Sequence, residues 1–209
     1  MTKTSIYVDG SNSFYAQRKQ TWNVDFKKLY DYCKSYGEIA DAKYYSGESN
    51  TDGQQRFFNV LSRIGYGIKS KPIQENYNIE TGETKRKANC DVEICVDMIT
   101  EKDNYDTAIL VGGDGDFLPL VRYLKDNDKK VVVISNKSMA SLQLVKERDV
   151  TYIDMATIKD DICREEAPIS SAAPSADSGK SERRWSKRYT RAASSKDEAE
   201  ELTQDFDIV

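Results

Sequence analysis

Residues 107–121 read Thr-Ala-Ile-Leu-Val-Gly-Gly-Asp-Gly-Asp-Phe-Leu-Pro-Leu-Val. The run from Thr107 to Val111 lacks the polar alternation of a half-exposed strand and is too short for a helix. It reads as a strand buried on both faces, the habit of parallel sheets. Glycine and aspartate then punctuate a turn, and Phe117 to Lys125 returns with helical spacing.

Outward from this stretch the same alternation recurs. Toward the N-terminus, Ser5–Val8 is a short buried strand. Asp25–Tyr36 is helical and ends at Gly37, and Ile39–Tyr45 is a strand. Asp52–Ile64 is helical and stops at Gly65, and Tyr66–Ile73 is a strand. Gln74–Lys87 is polar, carries a Thr81-Gly82 turn, and reads as a hairpin or loop; Asp91–Thr100 is helical. Toward the C-terminus, Val131–Ser135 is a buried strand, Ser138–Lys146 a helix and Val150–Ile153 a last short strand. Strands alternating with helices predict an α/β protein, a three-layer α/β/α sandwich around a central, mostly parallel sheet. In such sheets ligands bind at the carboxyl ends of the strands, where the strand order reverses.

Composition narrows the chemistry. The chain has 209 residues, a formal net charge of −4, four cysteines and no histidine. Without histidine there is no imidazole base, no Ser-His-Asp or Cys-His site and no His-ligated metal, so acid/base or metal chemistry falls to carboxylates. Cys33, Cys90, Cys95 and Cys163 contain no C-x-x-C pair, and reduced thiols are expected. The N-terminal apolar run ends at Asp9, too early for a signal peptide, and no stretch is long enough to span a bilayer. A cytoplasmic protein is expected. Composition shifts near residue 164, which predicts a folded domain over 1–163 and a disordered charged tail over 164–209. Within that tail residues 180–191 sum to +5 and residues 197–207 to −6.

Two predicted strands end in acid-rich turns, Val8-Asp9-Gly10-Ser11-Asn12 and Val111-Gly112-Gly113-Asp114-Gly115-Asp116. An aspartate after a strand is often a helix cap. Here Asp116 is the expected cap, and that role leaves Asp114 unexplained. On a helical wheel for 91–100, Asp91 lies inside a wide apolar arc formed by Val92, Ile94, Cys95, Val96, Met98 and Ile99, whereas Glu93 and Asp97 fall in the polar gap. Asp91 therefore points to the core side of its first turn, as a cap, as a partner of Lys87 or as a cation ligand. Asp9, Asp91, Asp114 and Asp116 converging at one sheet edge would repel one another, and a hard divalent cation, Mg²⁺ or Mn²⁺, resolves that repulsion.

The stretches IYVDGSN (6–12), QQRFFNVLSRIGYGI (54–68), KANCDVEICVDM (87–98), AILVGGDGDFLPLV (108–121) and KKVVVIS (129–135) resemble the NYN domain family, its LabA-like branch, with a PIN-like nuclease fold. The resemblance covers about residues 4–158. It implies a metal-dependent ribonuclease or related phosphodiesterase, with Asp9, Asp91, Asp114 and Asp116 as metal ligands and Asn12 as a polar helper to water or phosphate. Asp97 is a second-tier candidate, because the family often carries an acid there. Gly112 stands where the family often has Ser, and Asn89-Cys90 where it often has Gly-Val; neither departure removes an acid.

A net charge of −4 makes local charge decisive for nucleic acid. The stretch 69–87 carries Lys69, Lys71, Lys85, Arg86 and Lys87 near Tyr44, Tyr45, Tyr66 and Tyr77, a pairing suited to single-stranded bases. Ser11, Lys71 and Lys87 are the candidate substrate-binding residues. The tail's basic run with Trp185 and Tyr189 is a candidate RNA tether, and Leu202–Val209 a candidate docking peptide. Expected partners are thus RNA, single-stranded or structured, a protein on the tail and a second copy of the chain, with no membrane. The alternatives are a non-catalytic RNA- or protein-binding regulator on the same fold, and a phosphatase of the haloacid dehalogenase kind. Ser11 argues against the latter, because that chemistry wants a second aspartate two residues after the first.

Overall fold

A computed structural model describes residues 1–49, 51–77 and 84–164, those at 74–77 and 84–87 through their backbone alone. The tail read from residue 164 onward, with its basic and acidic runs, lies outside the described residues apart from Arg164. The chain order is β1 (Lys3–Asp9), α1 (Gly10–Lys19), α2 (Phe26–Cys33), β2 (Glu38–Glu48), α3 (Asp52–Ile64), β3 (Gly67–Pro72), β4 (Gln74–Tyr77), β5 (Thr84–Lys87), α4 (Asp91–Thr100), β6 (Thr107–Val111), α5 (Leu118–Asp126), β7 (Lys130–Ser135), α6 (Leu142–Val145), β8 (Val150–Asp154) and α7 (Lys159–Ile162). β4 and β5 form an antiparallel hairpin, Gln74 opposite Lys87.

Six parallel strands make the central sheet in the order β3-β2-β1-β6-β7-β8. Strand order reverses between β1 and β6, the position where doubly wound sheets leave a crevice. Val8 pairs with Val111, so the turns after both strands leave the sheet side by side.

Side chains alternate between two cores, as period-two strands require. Ile6, Val8, Ile109, Val111, Val132 and Ile134 pack with Leu29, Phe58, Leu61 and Ile162 from α2, α3 and α7. Tyr7, Ala108, Leu110, Val131 and Val133 pack with Ile94, Met98, Val121, Leu124 and Leu144 from α4, α5 and α6. Helices therefore cover both faces. The final turn is tied back to the start of α2, since Asp25 N–H donates to the Ile162 carbonyl at 2.8 Å and Arg164 N–H to the Asn23 carbonyl at 2.9 Å.

Two elements differ from the sequence reading. α1, of which the sequence reading gives only the turn at its start, is a ten-residue helix whose buried residues are Gly10, Ser13 and Ala16. Small residues let it lie close to β2: a Cβ on Gly10 would sit 2.4 Å from the Tyr45 carbonyl oxygen. α4 buries Ile94 and Met98, but Val92, Val96 and Ile99 are 70%, 52% and 36% exposed. The wide apolar arc is thus only partly covered: α4 lies against β1 and α5, and among the described residues no further layer lies over its other flank. All four cysteines are free thiols, and no helix of the described residues is long and apolar enough to cross a membrane.

Candidate metal centre

Asp9 ends β1 and caps α1, its carboxylate accepting the Asn12 N–H at 3.0 Å. Asp114 plays the same part after β6. It enters a short 3₁₀ turn, Gly115–Phe117, in extended conformation and accepts the Asp116 N–H at 3.0 Å. The cap is therefore Asp114, not Asp116 as the sequence suggested. Only the residue preceding the turn can reach back to its unpaired N–H groups, and Asp116 is already inside it.

Asp91 is the first residue of α4. Its N–H donates to the Asn89 side-chain carbonyl at 2.8 Å, while Cys90, at the cap position, makes no side-chain cap bond. Carboxylate oxygens of Asp91, Asp114 and Asp116 all lie within 4.8 Å of one another. Two oxygens on opposite sides of a hexacoordinate Mg²⁺ stand about 4.2 Å apart at metal–oxygen distances of about 2.1 Å, so small side-chain rotations bring this donor set onto one hard cation. Asp91 is half-buried and Asp114 and Asp116 are exposed, which leaves the cluster open to a ligand.

Asp9 stands behind the three. It is 7% exposed, and that burial pushes its carboxyl up to about 6; backbone N–H bonds from Asn12 and Ser11 pull it down, and the charges of Asp91 and Asp114 push it further up. Asn12 joins the two turns, its side-chain carbonyl accepting the Gly113 N–H at 3.2 Å. Ser11 lies half-buried in the first turn of α1. Gly113 is held from the other side: Ser141 N–H donates to its carbonyl at 2.9 Å, and a Cβ there would stand 3.0 Å from both Ala140 Cα and Ser135 Oγ.

The remaining candidates lie elsewhere. Lys71 bonds both carboxylate oxygens of Glu93, at 2.9 and 3.1 Å. Lys87 closes β5, and its side chain lies outside the described ones, as does that of Tyr77. Tyr44, Tyr45 and Tyr66 are buried, so they pack the core rather than offer faces to bases. Asp97 belongs to a separate polar tether. It accepts the Tyr45 hydroxyl at 2.8 Å and the Lys43 ammonium at 3.3 Å, while Glu101 takes the Tyr7 hydroxyl at 2.9 Å and also pairs with Lys43. Burial alone would raise the Asp97 carboxyl, but Tyr45 and Lys43 outweigh it and hold it below the usual range. Lys43, Tyr45 and Tyr7 were missed as a group because they come from two strands, and only sheet register shows that all three meet α4.

Fold and acids together define a class, a doubly wound α/β domain with an aspartate cluster at its strand-order reversal. The chain belongs to the NYN domain family, which it matches over residues 3–157; NYN domains are generally nucleases. It is 31% identical over 170 residues to the low amplitude and bright protein LabA of Synechococcus elongatus, an alignment covering 80% of this chain and 91% of LabA. An uncharacterized protein of Methanocaldococcus jannaschii is 27% identical over 134 residues, covering 63% of this chain and 47% of that protein. The crystal structure of a Vibrio parahaemolyticus protein of unknown function superposes with a TM-score of 0.64 at 28% identity, covering 78% of this chain and 96% of that one.

Proposed function

We propose that this protein is a divalent-metal-dependent nuclease that hydrolyses RNA phosphodiester bonds. The observation that carries the reading is the convergence of Asp91, Asp114 and Asp116 oxygens within 4.8 Å at the reversal of strand order. In this reading the three aspartates hold Mg²⁺ or Mn²⁺, with Asp9 behind them as a fourth acid. A cation bound there supplies a Lewis acid for the phosphate and lowers the pKa of a coordinated water. Asn12 keeps the two acid turns in register through Gly113, and Ser11 holds the Asp9 carboxylate through its backbone N–H. The exposed Asp114 and Asp116 give a phosphodiester access to the cluster. Nothing in this scheme needs histidine, which the chain lacks.

The test is cleavage of single-stranded and structured RNA, with DNA of the same sequence as comparison, in Mg²⁺, Mn²⁺ or chelator. Metal-dependent RNA cleavage is expected, falling in Asp114→Asn and Asp91→Asn by more than the roughly 10–100-fold that losing an outer partner of a metal ligand costs. Cleavage that survives both substitutions in folded protein would refute the reading.

A further inference from the structure

α4, the helix that begins with Asp91, turns Val92, Val96 and Ile99 to solvent at 70%, 52% and 36% exposure. Their spacing of four and then three residues puts them on one face of the helix. Val92 and Val96 form one wall of a groove of about 440 Å³, and the edge strand β3 forms the other with Ile68, Lys69 and Lys71. Cys90 and Val92, the neighbours of Asp91 on both sides, line the same groove, so it adjoins the helix start that carries Asp91. Lys69 and Lys71 both reach toward α4, to Asp97 at 3.8 Å and to Glu93 at 2.9 Å. Two residues apart on a strand, their Cα atoms are about 6.6 Å apart, of the order of one nucleotide step in an extended single strand.

We infer that this groove takes one unstacked nucleotide of a single-stranded RNA whose neighbouring phosphate lies at the acid cluster. The inference rests on the nuclease reading for its substrate class. Apolar walls suit the face of a base, and the two lysines suit the backbone on either side of it. The Lys71–Glu93 pair is exposed, and exposed ion pairs contribute little, so a phosphate can replace the carboxylate as partner. Base insertion needs bases that are free of a duplex, which makes the groove selective for single strands. Glu93 and Asp97 line the groove beside the two lysines, so its local charge is balanced, and the base face rather than an extended basic track carries the binding. A shallow salt dependence follows, with a slope of log affinity against log salt near about −1.4 for two phosphate contacts.

The test is fluorescence anisotropy of a short labelled single-stranded RNA of mixed sequence, and of the same RNA in duplex, with the full chain in Mg²⁺ and cleavage-resistant phosphorothioate linkages, a gel confirming that the RNA stays uncut. The double variant Val92→Ser/Val96→Ser changes only exposed side chains of similar helix propensity, and its circular dichroism and melting confirm the fold. We expect it to bind the single strand at least tenfold more weakly than wild type, and wild type to prefer single strand over duplex by at least tenfold. Single-strand affinity within twofold of wild type, or equal binding of duplex, overturns the inference. So does a wild-type dimer that the double variant dissolves with RNA affinity unchanged, which would assign the face to a second copy. Failure of the nuclease reading looks different: no cleavage in Mg²⁺ or Mn²⁺, with the valine-dependent binding intact.

Discussion

Asp9 places an acid where the fold least favours one, 7% exposed and beside Asp91 and Asp114. Its carboxyl is pushed up to about 6 from an ordinary 3.8. An acid raised in the folded state binds its proton more tightly there than in the unfolded chain. The contribution of Asp9 to stability is therefore fully present below about pH 4, is lost as pH rises through about 6, and stays lost above it, a change of up to about 3 kcal/mol. Asp9→Asn keeps the cap bond to Asn12 N–H, since asparagine caps as well as aspartate. The expected outcome is a metal-free protein more stable by about 1–3 kcal/mol at pH 8, with the decline between pH 4 and 6 flattened; melting curves in chelator across that range check it. Loss of stability at pH 8 would mean that a charge on Asp9 is held favourably by something else. Gly113 makes the opposite case. A Cβ there meets Ala140 Cα, a backbone atom that cannot yield cheaply, at 3.0 Å. Gly113→Ala is expected to cost about 1–3 kcal/mol and to weaken Mn²⁺ binding, read by melting and by calorimetric titration, because the Asp114 turn must move.

At the scale of elements, α4 is aimed from its far end. Tyr7 from β1, and Lys43 and Tyr45 from β2, grip Asp97 in its last turns and Glu101 at its C-cap, and so set where Asp91 stands at its first. Lys43 is 8% exposed and faces Asp41, Asp97 and Glu101. Lys43→Met removes the cation these three acids share, leaving Asp97 only the exposed Lys69 at 3.8 Å, and a loss on the order of 3 kcal/mol is expected. Lys43→Arg should restore much of it. Equal melting temperatures for Lys43→Met and wild type would show that the tether does not hold α4. How much of this was legible beforehand follows from which forces leave a mark on sequence. The strands β6 and β7 and the helices α2 and α3 bury regular apolar faces, and their periodicity announces them. α1 buries glycine, serine and alanine, so its helix leaves no apolar stripe to read. The four acids were visible as punctuation after strands and at a helix start. That Asp114 rather than Asp116 caps the turn depends on one residue's backbone angles, which composition does not encode. The bareness of Val92 and Val96 depends on what packs over α4, a tertiary fact hidden from the helical wheel.

At the scale of the whole molecule, the family match ends at residue 157, yet the fold continues to Arg164. Ile158 and Ile162 are buried, and two backbone hydrogen bonds, which together make the Val24–Cys163 bridge, join this last segment to residues 23–25. A chain ending at Thr157 is therefore expected to be less stable than one ending at Arg164 by about 3–5 kcal/mol, from two isoleucines' worth of lost burial. Urea denaturation of the two truncations compares them directly, and equal midpoints would refute the account.

The pairing of β1 with β6 has one more consequence, in time rather than in space. Asp9 is among the first residues made, whereas Asp91, Asp114 and Asp116 come much later; β1 can pair with β2 once Tyr45 exists, but it meets β6 only when Val111 is available to pair with Val8. Contacts this distant along the chain form late in folding. A growing polypeptide thus carries the first acid without the other three, and the aspartate cluster cannot assemble before Asp116 has been made.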